Sequence, residues 1–253
     1  MNAISRAPRS NAVASVAAVA LVLSGCTAGT SAGDPSFASS PTSSPASSPS
    51  PAARVRPLVD LGGGGIRMGA GTYVLDRFPV HITFDVPDGD PPGWHVGKSE
   101  PYAAILLWNT PPDFTYAVAF WDVDNVYVDP CEAAARELDP PLGPSVDDLV
   151  SYLSSQPAFE ATTPVDIMVG AFPGKAIELT KNLDSQGNCP DAHLFSAGDD
   201  GWGLEPGETI QMRVFEVDGV RIVVTIHEWA ETDAAVHAEL YQIVDSIRLA
   251  PPL

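Results

Sequence analysis

Alternation of apolar and polar side chains is the first regularity along this chain. Val80, Ile82, Phe84 and Val86 alternate with His81, Thr83 and Asp85 and stop at Pro87-Asp88-Gly89, the two-residue period of a strand with one buried face. Two longer apolar runs, Tyr102 to Trp108 and Phe114 to Val123, flank Asn109-Thr110-Pro111-Pro112-Asp113 and predict a hairpin with a longer loop. Cys131 to Leu138 has the composition of a helix. At Ser145 the period changes: Val146, Leu149, Val150 and Leu153 fall at i, i+3, i+4 and i+7 behind Ser145-Val146-Asp147-Asp148. That spacing predicts a capped amphipathic helix ending near Gln156-Pro157.

Beyond that helix, Val165 to Ala171 and Lys175 to Thr180 read as strands joined around Phe172-Pro173-Gly174, followed by an irregular insert from Lys181 to Gly207. Thr209–Val217 and Val220–Trp229 surround Asp218-Gly219, the dipeptide of a type I′ turn, because both central residues need positive φ. Pairing outward from the turn sets Glu216 opposite Arg221 as a cross-strand ion pair, Phe215 opposite Ile222 and Val214 opposite Val223. The last two pairs lie on opposite faces, so the sheet is expected to be covered on both sides. Val236, Leu240, Ile243, Val244 and Ile247 form one stripe behind Thr232-Asp233 and supply a closing helix as one cover. The class is α+β, a mostly antiparallel sheet flanked by helices.

The N-terminus has a different pattern. Arg6 and Arg9 precede a stretch from Val13 to Leu23 that is apolar except for Ser15, shorter than the roughly 20 residues that span a bilayer. It reads as an export signal. Leu23-Ser24-Gly25-Cys26 resembles the lipobox of bacterial lipoproteins, and that resemblance implies a signal peptide over residues 1–25 and a diacylglyceryl, palmitate-type anchor on Cys26. Two acyl chains suffice for stable attachment. Residues 27–53 hold nine Ser, five Pro, three Thr and six Ala, too little apolar surface to offset the entropy of ordering. The organisation is therefore signal peptide 1–25, lipidated cysteine and linker 26–56, glycine-rich entry 57–71, and an extracytoplasmic domain 72–253.

Charge narrows the partners. Residues 57–253 carry nine basic residues against 31 acidic ones, a formal charge of −22, which repels nucleic acid and anionic headgroups and favours cationic or neutral partners. Beyond Cys26 there are two cysteines, Cys131 and Cys189, and an even pair in an oxidising compartment predicts a disulfide.

The order of these elements, with Val169-Gly170-Ala171-Phe172-Pro173-Gly174-Lys175, Asp218-Gly219 and a terminal Ile243-Val244-Asp245-Ser246-Ile247-Arg248, resembles uncharacterised actinobacterial extracytoplasmic lipoproteins. More distantly it is similar to the PsbP/Mog1-like α/β/α sandwich. The resemblance spans roughly residues 72–250, implies a non-enzymatic binding or assembly module, and carries over no site residues.

Catalytic patterns are sparse. Gly62 to Gly65 with Gly69 and Gly71 lack the spacing of a phosphate loop. His227-Glu228-Trp229-Ala230-Glu231 with His237 mimics part of a zinc-protease string, but Glu231 stands where a histidine is needed and the segment reads as strand. A looser metal site at His227 and Glu231, and oxygen ligands at Asp122, Asp124, Asn125 and Asp129, are the metal candidates; no cofactor is called for. Asp199-Asp200-Gly201-Trp202-Gly203 sets Trp202 either on a ligand-facing loop or over the edge of the core. Two functions remain. One is a membrane-anchored binding or interaction module for an envelope protein, glycan or small ligand; the other is an envelope-polymer hydrolase with a carboxylate pair in a cleft.

Overall fold

A computed structural model of the chain describes residues 54–58, 66–75, 78–88, 93–100, 102–108, 116–132, 136–182, 189, 192–198 and 200–251. The export signal, Cys26, the Ser/Pro-rich segment and Gly62 to Gly65 lie outside them. All described residues fall within one unit, Ser50–Leu253. The chain runs through strands β1 (Arg56–Pro57), β2 (Ile66–Arg67), β3 (Gly71–Leu75), β4 (His81–Val86), β5 (Trp94–Ser99), β6 (Ala103–Trp108), β7 (Tyr116–Asp122) and β8 (Asn125–Val126). Helix α1 (Val146–Ser155) is followed by β9 (Phe159–Ala161), β10 (Val165–Val169), β11 (Phe172–Lys181), β12 (Ala192–Ala197), β13 (Asp200–Leu204), β14 (Glu208–Val217) and β15 (Val220–Trp229). Helix α2 (Ala234–Asp245) and β16 (Arg248–Ala250) complete the described elements.

Most of the structure is antiparallel sheet, with two helices among the described residues. The central sheet runs β10-β11-β14-β15-β7-β6-β5-β2, with β9 on β11. Its hub is the β14–β15 hairpin. Asp218 and Gly219 have φ of 50° and 83°, the values a type I′ turn requires, and the register sets Val214 on Val223, Phe215 on Ile222 and Glu216 on Arg221. The register is as the sequence predicts, but Arg221 makes a different contact. Its buried guanidinium donates to the carbonyls of Gly143 at 2.6 Å and Val123 at 3.3 Å, fastening the segment that leads into α1.

Both faces of the central sheet are buried, as the paired apolar positions demand. On one face Phe215, Ile222, Val224, Phe120 and Leu106 join Ile82 and Phe84 of β4 and Leu240 and Ile243 of α2 in one core. On the other, Val214, Val223, Met212 and Trp121 join Leu149 and Leu153 of α1 and Leu194 and Phe195 of β12 in a second. Each cover is thus a helix together with a small sheet, β1-β3-β4-β16 on one side and β13-β12-β8 on the other. That is more strand than an α/β/α sandwich implies.

Helix α1 starts as predicted. Asp148 N–H donates to Ser145 Oγ and Ser145 N–H to Asp148 Oδ2, both at 3.1 Å, so two of the donors a helix start leaves unpaired are satisfied reciprocally. Asp233 caps α2 by accepting from Ala235 N–H at 2.8 Å.

Three expectations change. Cys131 to Leu138 is not helical in its described residues: Glu137 bridges Tyr127 and Leu138 N–H donates to Val126 O, so tertiary pairing overrides helical composition. Phe172-Pro173-Gly174 is not the turn but the start of β11; the turn is Gly170-Ala171, with Gly170 at φ 61°. A Cβ on Gly174 would instead strike the Phe215 ring at 2.5 Å, so that glycine serves strand packing. The stretch from Lys181 to Gly207 is not irregular throughout, since it holds the β12–β13 hairpin.

Cys131 and Cys189 form a disulfide that closes 58 residues of sequence, with Cα atoms 4.5 Å apart. It fastens the approach to β12 to the loop after β8, where His193 N–H also donates to Pro130 O. Replacing both cysteines by serine is expected to lower unfolding free energy by about 2–4 kcal/mol. Urea titration reads this as a lower midpoint, and hydrogen exchange should show β12 and β13 opening before the central sheet.

Candidate functional site

The face covered by α1 and the β12–β13 hairpin is incompletely filled at one end. There the strands β5, β6, β7 and β15 and the hairpin enclose a cavity of about 620 Å³, within the range of small-molecule sites. Ile105 and Leu107 of β6 and Leu204 of β13 give it apolar walls, while Tyr116, Trp202 and Trp229 present rings. Two glycines shape it. Register slips between Val96 and Lys98 of β5, and a Cβ on Gly97 there would lie 2.5 Å from Leu107 Cδ1. Gly203 lets β13 approach β12, where a Cβ would meet Ala192 O at 2.8 Å.

Polar chemistry is concentrated in the floor. Glu208 and His227 are 2% and 1% exposed, and Glu208 Oε1 lies 2.7 Å from His227 Nδ1. His227 Nε2 lies 2.8 Å from Thr225 Oγ1, which accepts from Trp121 Nε1–H at 3.0 Å. Strand geometry assembles this chain: Thr225 and His227 are two residues apart and share a face, and β14 and β7 flank β15. Glu208 Oε2 accepts Glu205 N–H at 2.8 Å. That last bond is made by the turn Glu205-Pro206-Gly207-Glu208, whose Gly207 has φ 85°, the left-handed value needed after proline in a type II turn.

Hydrogen-bond inventory assigns the protons. The Thr225 hydroxyl finds no acceptor other than His227 Nε2 among the described residues, so in the neutral imidazole Thr225 donates there and the ring proton sits on Nδ1, directed at Glu208. The Glu208 carboxylate thus accepts two N–H groups and pairs with no lysine or arginine among the described residues. Trp202 packs over this floor, its ring 4.5 Å from His227 and 5.5 Å from Trp121. It is therefore both core edge and cavity wall, which joins the two readings of its loop.

The apparent zinc-protease string is divided by the strand. His227 faces the cavity, whereas Glu228 faces the other way and sits 2.6 Å from His237 Nδ1 of α2; Glu231 is exposed beyond the strand end. Beside Glu228, burial and then the Glu228 charge push the Tyr241 hydroxyl up to about 12. The acidic loop is likewise engaged with protein. Asp124 accepts Gly198 N–H at 2.7 Å, Asp129 accepts Cys131 N–H at 2.9 Å, and the Asn125 amide donates to Leu138 O at 2.9 Å. Asp122 is raised by burial and by Asp124, with Arg221 opposing. No group of three or more His, Cys, Asp or Glu suited to a metal occurs among the described residues.

Glu208 and Thr225 were not singled out from the sequence. The available signal was polar residues at inward positions: Glu208 shares its face with Ile210, Met212 and Val214, and Thr225 and His227 share theirs with Val223. Thr225→Val leaves Trp121 Nε1–H and His227 Nε2 buried without partners, each costing about 1–3 kcal/mol. The expected result is a loss of roughly 2–4 kcal/mol in urea unfolding, against less than about 1 kcal/mol for Thr225→Ser, which keeps the hydroxyl.

No protein-family model matches the chain, and no curated protein matches it. Among solved structures it is similar to a single-residue variant of Mog1, at 12% identity and a TM-score of 0.34, over 67% of this chain and 91% of that one. It is also similar to LpqN of Mycobacterium tuberculosis, described as involved in cell envelope biogenesis, at 14% identity and a TM-score of 0.31, over 68% of this chain and 86% of that one.

Proposed function

We propose that this protein is a lipid-anchored extracytoplasmic binding protein that takes a small, largely apolar molecule into the cavity between its central sheet and the β12–β13 hairpin. The observation that carries the reading is the cavity itself: apolar and aromatic walls around a hydrogen-bonded floor, built on strands rather than on loops. Such a combination holds and orients a ligand. The two carboxylates of the cavity, Glu205 and Glu208, do not make an acid–base pair in this arrangement. Glu208 has both oxygens occupied by N–H donors, so it has no proton to deliver to a glycosidic oxygen.

Anchoring rests on Cys26 and the export signal before it. No helix among the described residues is long and apolar enough to cross a membrane; in this reading the acyl chains on Cys26 supply the attachment. The linker then holds the domain away from the bilayer, and the acidic surface keeps it from settling on anionic headgroups.

Both parts are tested on the full chain. Membranes from cells making the native protein should retain it after a salt wash, and Cys26→Ala should leave it in the soluble fraction. N-phenyl-1-naphthylamine, a neutral apolar fluorophore, should bind with saturation at one per chain and quench tryptophan emission. Leu107→Trp, which fills the cavity, should abolish that signal with thermal unfolding unchanged within a few degrees. Membrane-retained Cys26→Ala protein, or naphthylamine binding that ignores Leu107→Trp, contradicts the proposal.

A further inference from the structure

The carboxylate in the floor of the cavity has no lysine or arginine partner among the described residues. Glu208 is held by His227 Nδ1–H and Glu205 N–H, and beside a neutral imidazole it is an ion in apolar surroundings without a counter-ion. Of the other basic residues that line the cavity, Lys98 has its Nζ over the face of Tyr102, 5.6 Å from the ring centroid, a ring that is not part of the cavity wall, and His193 packs edge to face with Tyr127 at 5.4 Å. Tyr116, Trp202 and Trp229 offer π faces or edges to the same space, with Tyr116 and Trp229 packed edge to face at 6.2 Å. Rings around a buried carboxylate attract a cation that has shed its water.

From this we infer that His227 is neutral and that the ligand supplies the missing counter-charge: an organic ammonium ion with an apolar body, a quaternary or tertiary amine rather than a neutral lipid or an anion. The inference rests on the binding function proposed above and names its ligand class. A compact metal cation does not suit this space, since Glu208 is the one buried carboxylate in it and both its oxygens are occupied. A zwitterionic phosphocholine is disfavoured by its phosphate, which would enter past Glu205 at the rim of a domain with a formal charge of −22. The remaining match is an alkylated ammonium group against the rings, charge over Glu208, and hydrocarbon against Ile105, Leu107 and Leu204.

Displacement of bound N-phenyl-1-naphthylamine from the full chain by three competitors tests this. Benzyltrimethylammonium carries the charge, neopentylbenzene is its uncharged carbon isostere, and phosphocholine represents a lipid headgroup. The ammonium ion is expected to compete roughly tenfold or more better than the isostere, with phosphocholine weaker than the ammonium ion. In Glu208→Gln the preference should fall to about threefold or less. Trp229→Leu, which keeps an apolar wall and the buried floor intact, should reduce it in the same sense if the glutamine variant does not fold. Equal or tighter binding of neopentylbenzene or phosphocholine overturns the inference and leaves the apolar binding site standing. Absence of naphthylamine binding overturns the binding function itself.

Discussion

A sheet buried on both faces has no room for a polar side chain unless its partners are buried with it. In this domain that constraint is met by a chain of hydrogen bonds running from Trp121 through Thr225 and His227 to Glu208 and back to the Glu205 amide. It crosses β7, β15 and β14, the strands at the centre of the sheet, and closes on the turn that brings β13 into β14. Removing one member leaves its buried neighbours unpaired, which is why the chain acts as one unit. Elsewhere on this face the inward positions are Val214, Val223, Met212 and Leu179, which pack tightly. Where the polar chain replaces them, packing stops and the cavity begins.

The cavity wall depends on the same constraint. Trp202 lies across the imidazole and the Trp121 ring, so the β12–β13 hairpin is positioned by the floor it covers. The hairpin is also joined to β8 through Phe195 and Val126, and its approach is fastened by the disulfide. These attachments make a wall that stays in place while the opening faces solvent. A ligand entering this space meets a preformed site, so little of its binding free energy is lost to ordering the protein.

Much of the fold was legible because it follows from local chemistry. The Asp218-Gly219 turn fixed the register of its hairpin, Ser145 and Asp148 fixed the start of α1, and Val236, Leu240, Ile243 and Val244 fixed the buried face of α2, with Ile247 of the expected stripe lying beyond the helix end. The paired cysteines gave the bridge. Legibility ended where a residue's role depends on a partner distant in sequence. Arg221 meets carbonyls of Gly143 and Val123 rather than Glu216, and Arg136 to Leu138 lie along β8 and the residues after it instead of coiling. The cavity was hidden for the same reason. Its wall comes from a hairpin inside a stretch without clear periodicity, and its floor joins a glutamate that begins one strand to a histidine near the end of the next. His227 was noticed through a protease-like string, whereas its actual partners are Glu208 and Thr225.

The central claim is that His227 holds the Glu208 carboxylate as a neutral Nδ1–H donor, leaving a net negative charge beneath the cavity. Long-range ¹H–¹⁵N correlation spectra of ¹⁵N-histidine-labelled protein at neutral pH read this directly, with His227→Gln assigning the ring. The account predicts a protonated Nδ1 and an unprotonated, hydrogen-bond-accepting Nε2 for His227. Protons on both ring nitrogens, or a proton on Nε2 alone, would contradict it: the first would neutralise the floor and the second would leave Glu208 without its donor.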